Sequence, residues 1–478
     1  MGQGSSGVQS NPLEDCLKVA TSPLGSYAFH DKLLFQLTDV KPYNLDYPVN
    51  PIAVTYPGST KEVAQIIKCA TTYDKKVQAR SGGHSYANFA LGDGDGAIVI
   101  DMQKFKQFSM DTSTWQATIG PGTLLGDVSK RLHENGNRVI PHGTSPQIGF
   151  GGHGTIGGLG PLSRMYGLTL DSIEEVEAVL ANGQIVRASK TQNEDLFFAI
   201  RGAAASVAVV TEFKVRTYPE PSSSVLYSYT LQGGSVASRA NAFKQWQKLT
   251  TDPSVSRKFA STFVLSEAIT VVTGTFFGTQ AEFDSLDITS RLPADMISNN
   301  TEVKNWLGVV GHWGESLALR AGGGIPAHFY SKSLGFKKDE IMDDATVDKL
   351  FNYIDKADKG GAVWFVIWDL EGGAISDVPT TETSYGHRDA IFFQQSYAIN
   401  LLGRVKDDTH EFLNRVNSVI MESNPGGYWG AYPGYVDTAL GNSSAKAYWG
   451  INSERLQTIK SWVDAGDVFH NPQSVRPK

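Results

Sequence analysis

The residues with the most chemistry to offer lie in a glycine-dense run from Arg80 to Asp171. A first cluster reads Arg80-Ser81-Gly82-Gly83-His84-Ser85-Tyr86. A second runs from His142 through Ser145, Ile148, Gly149, Gly151, Gly152, His153, Gly154, Gly157 and Gly158 to Gly160. Glycine tolerates positive φ and lets the main chain approach a ligand closely. Two such clusters can present backbone N–H groups as nests for an anion such as a pyrophosphate; the plainer reading is a pair of long turns. His84 by itself is either a turn residue bonded to the backbone or a functional imidazole. Far downstream, Asp369 follows the six apolar residues Val363–Trp368. A carboxylate on a buried strand is costly unless paired; otherwise it opens a solvated turn. The stretch from Tyr428 to Asp437 carries Tyr432 and Tyr435, which are either aromatic core or a pair of phenols in a site.

The glycine clusters resemble the FAD-binding core of the vanillyl-alcohol-oxidase superfamily, specifically the berberine-bridge-enzyme-like oxidases. The matching residues are Arg80–Tyr86 and Gly143–Gly160. The resemblance implies FAD, tethered at its 8α-methyl group through His84. The family's second tether, a cysteine, corresponds to Ser145, whose hydroxyl forms no thioether, so attachment through His84 only is implied. Arg80, Ser81, Gly82, Gly83, Ser85, Ser145, Ile148, Gly149, Gly152, His153, Gly157, Gly158, Val209 and Asn471 are the other implied cofactor contacts. Ile148 stands where side-chain size gates dioxygen in the family and valine is common, which leaves dehydrogenase behaviour open.

Within that family the Asp369 and Tyr435 stretches look like those of gluco-oligosaccharide and chito-oligosaccharide oxidases. The likeness implies Tyr435 as the base, assisted by Asp369, with Tyr86, Tyr432 and Gln394 as substrate contacts. It implies oxidation of the anomeric C1 hydroxyl of a mono- or oligosaccharide, hydride transfer to flavin N5 and reduction of dioxygen. A free phenol titrates near 10 and an adjacent anion raises it further, so Asp369 is cast as acceptor of the phenolic proton. Ile367 stands where the sugar oxidases often have glutamine. Two alternatives are carried forward: a secondary-metabolite oxidase or sugar dehydrogenase on the same fold, and a flavin-binding protein without turnover.

Gly149-Phe-Gly151-Gly-His-Gly154 fits a dinucleotide fingerprint loosely, with Asp171 downstream. That mechanism needs a helix opening at the last glycine, and Gly157-Gly-Leu-Gly-Pro161 is hostile to one. The net charge of −7 gives no basic field for a nucleic-acid partner. No run of about 18 apolar residues exists, so no membrane span is expected, and no metal site is read. The first seven residues lack the apolar core of a signal peptide and nominally fit a myristoylation pattern at Gly2 and Ser6; they read as an added segment before a mature terminus. The two cysteines, Cys16 and Cys69, read alone as buried thiols. The resemblance to the family's sugar oxidases implies that they are bonded, which contributes about 4 kcal/mol in a chain-entropy account. With sequons at Asn299 and Asn442, a bridge points to a secreted glycoprotein, expected to be a monomer.

These residues need elements to hold them. Strands are expected at 51–56, 76–80, 97–101, 115–119, 173–180, 184–188 and 206–218, with Asn182-Gly183 as a hairpin turn. Helices are expected at 13–20, 60–72, 124–134 and 194–200, the last capped by Asn193; the residues before 50 otherwise read as linker. Pro219-Glu-Pro221 marks a boundary. Beyond it, strands at 225–231, 259–265, 268–277, 362–368 and 391–399 interleave with helices at 237–249, 280–292, 344–355 and 408–423. The expected class is α+β: a two-domain fold with an FAD-binding part over 1–220, an antiparallel-sheet substrate part over 221–424 covered by helices, and 425–478 returning to the first.

Overall fold

The computed structural model describes residues 11–321 and 326–478; the myristoylation-like start lies outside the described residues. The fold is α+β, built on three main sheets. The first has four strands in the order Ser26–Phe29, Ala53–Tyr56, Ile98–Asp101, Val77–Arg80. The helix Thr60–Thr72 buries Val63, Ile66, Ile67 and Ala70 fully against it, the stripe its 3.6-residue period lays on one face. Ser59 caps that helix, accepting from the Glu62 N–H at 3.3 Å. Cys16 and Cys69 are disulfide-bonded, tying the helix Pro12–Ala20 to it.

The second sheet is antiparallel, with strand order Phe108–Asp111, Gln116–Ile119, Val209–Arg216, Ile173–Val179, Ile185–Ser189. Its last two strands form the hairpin around Asn182-Gly183, where Gly183 takes φ 78°. The third sheet has seven strands, all antiparallel and drawn from residues 224–400: Ile297–Lys304, Ser224–Gln232, Ile269–Phe276, Phe259–Ser266, Val363–Leu370, Ala390–Asn400, His328–Lys337. One face is covered by the helices Val236–Thr251, Asp344–Lys356 and Asp407–Ser423. Their Phe243, Trp246, Phe351 and Phe412 pack on Trp364, Trp368 and Phe392 of the sheet. Each such ring removed from water contributes about 1.5–3 kcal/mol. The opposite face is left for the site.

The C-terminal stretch packs back on the first half. Lys460 is fully buried and donates to the carbonyls of Ser206 at 2.8 Å and Phe469 at 2.9 Å, with Asp464 at 2.6 Å balancing its charge. Phe469 bridges to Val77.

Several elements depart from expectation. Residues 26–29 and 36–40, expected as linker, are a strand and a short π-helix. The expected helix over 280–292 is two, Gln280–Asp284 and Ile288–Arg291, because Asp287 turns left-handed at φ 47°. Strands Ile297–Lys304 and His328–Lys337 were not expected, nor the helix Trp306–Ala321. The first is a polar edge strand; the second is buried on both faces and shows no alternation. Asn193 does not cap its helix: its backbone is left-handed and its amide donates to Arg187 O at 2.7 Å. The second glycine cluster, whose plainer reading is a long turn, contains the helix Phe150–Ile156, which stops at Gly157 rather than opening at Gly154.

Candidate active site

A cavity of about 550 Å³ lies between the two glycine clusters and the free face of the seven-stranded sheet. Ser81, Gly82, Gly83, His84, Ser85, Ser145, Ile148, Gly149, Gly152, His153 and Asn471 all line it. The first cluster is fixed by Arg80, which closes the strand Val77–Arg80. Its guanidinium donates to Asp101 at 2.7 Å, to Asp39 O at 2.7 Å and to Val40 O. The two clusters touch at Gly82 and Gly149. A Cβ on Gly149 would come within 2.0 Å of Ser81 Oγ and 2.1 Å of Gly82 N. Gly152 faces open space. The Gly82 and Gly83 N–H groups donate to no acceptor among the described residues. Such a cradle of free donors fits a phosphate-bearing cofactor. His84 is held neutral by burial, its pKa pushed down to about 4, and its ring lies 4.6 Å from that of Tyr43.

Four expected cofactor contacts lie off the cavity wall. Arg80 does not line the cavity; its donors go to Asp101 and two carbonyls, so it braces the loop. Gly157 and Gly158 form the turn behind the wall, at φ 146° and 81°, and do not line it. The Tyr432 hydroxyl accepts from Gly158 N at 3.0 Å. Val209 points into the core beside Ile98 and Val179, while its neighbours Ala208 and Val210 line the cavity.

The sheet supplies the opposite wall. Along Val363–Leu370 the side chains alternate: Trp364, Val366 and Trp368 face the helices, and Ile367 and Asp369 face the cavity. Asp369 pairs in register with Thr262, whose hydroxyl donates to Asp369 Oδ1 at 2.9 Å. Tyr435 Oη donates to Asp369 Oδ2 at 2.9 Å. Burial first, then the charge of Asp369, push the Tyr435 phenol well above its usual range. Tyr435 is set by a turn in which its N–H donates to Tyr432 O at 2.9 Å, and the two rings meet edge-on at 5.1 Å. Tyr86 packs 4.7 Å from Phe329 and accepts from Gln395 Nε2 at 2.8 Å.

Gln394, expected as a substrate contact, does not line the cavity. It is fully buried on the helix side, where its amide donates to Asn417 at 2.8 Å and Ser396 at 3.0 Å. Successive strand residues face opposite ways, so Gln395, opposite Ile367, takes the cavity side. Sequence reasoning also passed over Tyr43, Thr262 and Glu371. Strand parity relative to Asp369 was the one available signal for Gln395 and Thr262; Tyr43 had none.

Two family profiles match the chain: an FAD binding domain over residues 51–189, and one described as berberine and berberine like over 431–476. FAD-linked oxidoreductase sorD of Penicillium rubens is 41% identical, over 92% of this chain and 93% of its own. Carbohydrate oxidase of Microdochium nivale is 31% identical, over 98% of this chain and 96% of its own. The chain belongs to the berberine-bridge-enzyme-like FAD oxidoreductases. This oxidoreductase also superposes on the glucooligosaccharide oxidase of Acremonium strictum, with TM-score 0.89 and 28% identity over 98% and 100% of the two chains. That structure is described with a 6-S-cysteinyl, 8α-N1-histidyl FAD. In this family member His84 and Ser145 both line the cavity. Among the described residues no His, Cys, Asp or Glu cluster could hold a metal ion, and no helix is long and apolar enough to cross a membrane.

Proposed function

We propose that the protein oxidises the anomeric C1 hydroxyl of a mono- or oligosaccharide to the lactone, on FAD tethered through His84 only. The observation that carries this is the Tyr435–Asp369 hydrogen bond at 2.9 Å, aimed into the same cavity as His84. When bound, the flavin takes up the hydride from C1. Tyr435 takes the hydroxyl proton while its own proton passes to Asp369, an acceptor stabilised by Thr262. A high phenol pKa is no obstacle in that relay, because Tyr435 never has to rest as a phenolate. Two electrons and two protons then leave to dioxygen as hydrogen peroxide. Tyr86 offers a ring face to the sugar and Gln395 a polar contact. The sugar relatives support this substrate class, as does the likeness to glucooligosaccharide oxidase.

His84 is neutral and so able to bond the flavin methyl group, whereas Ser145 offers no thiol. We also read residues 1–220, with 425–478 returning to them, as the flavin unit and 221–424 as the substrate unit; Lys460 joining Ser206 supports the return. The disulfide supports secretion, and a monomer is proposed. Anaerobic addition of glucose or cellobiose tests the activity by bleaching of the yellow protein. Retention of colour after acid precipitation, lost in His84→Ala, tests the tether.

One observation favours a second reading. Part of the cavity wall is apolar, with Ile367, Ile399 and Phe329 together, and the 41% identical relative is named only as an FAD-linked oxidoreductase. A secondary-metabolite alcohol would suit that wall. Bleaching by a hydroxylated aromatic, and not by any reducing sugar, would select it.

A further inference from the structure

Glu371 lies just past the strand that carries Asp369. Its main chain is fixed at both ends: its N–H donates to Ile391 O at 2.7 Å, and its carbonyl accepts from the Arg164 guanidinium. Gly372 and Gly373 follow at φ 78° and 63°. The side chain is 4% exposed and lines the same cavity. Among the described residues no group hydrogen-bonds its carboxyl. Arg164, the nearby cation, spends its bonds on the carbonyls of Glu371 and Phe259.

Asp369 and Glu371 are therefore two carboxyls on one wall with unequal support. Asp369 receives O–H donors from both Tyr435 and Thr262. Donors to a carboxylate favour its charged form, and close like charges in a poorly solvated site do not both ionise. The carboxyl without donors is therefore the one that keeps its proton.

We propose that Glu371 is a second acid of the active site, a protonated carboxyl whose O–H donates to an oxygen of the bound substrate and orients the reacting carbon. This rests on the site reading above and extends it: the substrate must present an acceptor oxygen beside the hydroxyl that reacts. Asp369 stays the only anion of the pair, and the Glu371 proton is not consumed. The groups facing Glu371 agree. Burial, then Asp369, raise it well above the carboxylate range against a partial pull from Arg164. The neighbouring phenols of Tyr385, Tyr432 and Tyr435 are themselves raised, so none brings a further negative charge. A neutral acid used as a donor beside a reacting centre is an established strategy.

The test compares Glu371→Gln, which keeps a neutral donor, with Glu371→Leu, which does not. In the resting, flavin-loaded protein at neutral pH, infrared difference spectra should show a protonated-carboxyl carbonyl band that Glu371→Gln lacks. Anaerobic flavin reduction should stay within about threefold of the parent in Glu371→Gln and fall about 10–100-fold in Glu371→Leu, with KM raised as well. The parent should lose rate at alkaline pH as Glu371 ionises, and Glu371→Gln should not. An absent band, Glu371→Gln as slow as Glu371→Leu, or Glu371→Leu as fast as the parent each overturns the proposal. The band needs no turnover, so its absence sinks the Glu371 proposal alone. Undiminished reduction in Tyr435→Phe instead sinks the reading beneath it.

Discussion

The two walls of the cavity are built on opposite principles. The glycine wall is mechanical: Gly82 meets Gly149 with no room for a Cβ, Arg80 is pinned by Asp101, and Tyr432 holds the Gly158 turn. Among the described residues it leaves the backbone N–H donors of Gly82 and Gly83 without an acceptor. The sheet wall is chemical: Thr262, Asp369, Glu371, Gln395 and Tyr435 stand on a scaffold whose other face is an aromatic core. A cofactor common to a family needs a fixed shape, which strand ends and glycines supply. A substrate needs side chains that can be exchanged without moving the backbone, and a strand offers every second position for that.

The sharpest way to break the contrast is Tyr435→Phe. It removes the proposed proton acceptor and nothing from the glycine wall. Reduction of the flavin by substrate should fall by about 10²–10⁴-fold while the yellow colour stays, measured by anaerobic stopped-flow absorbance. Loss of colour instead would show that the walls are not independent.

The support behind the sheet wall is expected to weaken with acid. His387 is fully buried, bonds to Tyr428, and is pushed down to about 4 by burial. An unfolded histidine titrates near 6.5. The unfolded chain therefore binds a proton first as pH falls, and stability present above about 6.5 is lost progressively down to about 4. The full effect is about 3 kcal/mol at 1.36 kcal/mol per pH unit. In His387→Leu the fall in unfolding midpoint between those pH values should be shallower, as read by thermal melts across a pH series. An unchanged slope would assign the acid sensitivity elsewhere.

Within the glycine wall, two alanine substitutions should separate fold from cofactor. Gly149→Ala drives a methyl into Ser81 and Gly82, an overpacking cost of about 1–3 kcal/mol, visible as a lower melting point and less bound flavin. Gly152→Ala meets nothing within 4 Å and sits inside the helix Phe150–Ile156. It should raise the stability of the flavin-free protein by up to about 1 kcal/mol, yet still lower flavin uptake because the methyl points into the cavity. Equal behaviour of the two would deny that the wall is a fitted surface.

The sequence exposed the two walls unequally for the same physical reason. The glycine clusters could be read directly, because rare backbone conformations demand a particular residue; His84, Ser145 and Gly149 all reach the cavity. Asp369 stood out as a charge after six apolar residues. The strand Val363–Leu370 was legible from composition, yet His328–Lys337 was not, since a strand buried on both faces loses its period. Glu371 was hidden because a carboxyl before two glycines looks like a solvated turn, and Arg80 misled because its role is bracing.

The smallest effect probes one step of strand parity. Gln394 and Gln395 are adjacent and chemically identical, and only the pleat separates them. Gln394→Met removes a buried amide from Asn417 and Ser396 while filling a similar volume. It leaves the Asn417 carbonyl without its donor, at about 1–3 kcal/mol, seen in the unfolding midpoint with the kinetic constants unchanged. Gln395→Met removes the donor to Tyr86 from the cavity side, so it should leave the midpoint nearly unmoved and raise KM for substrate by about tenfold, the equivalent of roughly 1.4 kcal/mol. A KM change in Gln394→Met, with none in Gln395→Met, would mean the strand is read out of phase. The assignment of Asp369 to the cavity would fall with it, because Gln395 pairs with Ile367 and Ile367 shares its face with Asp369.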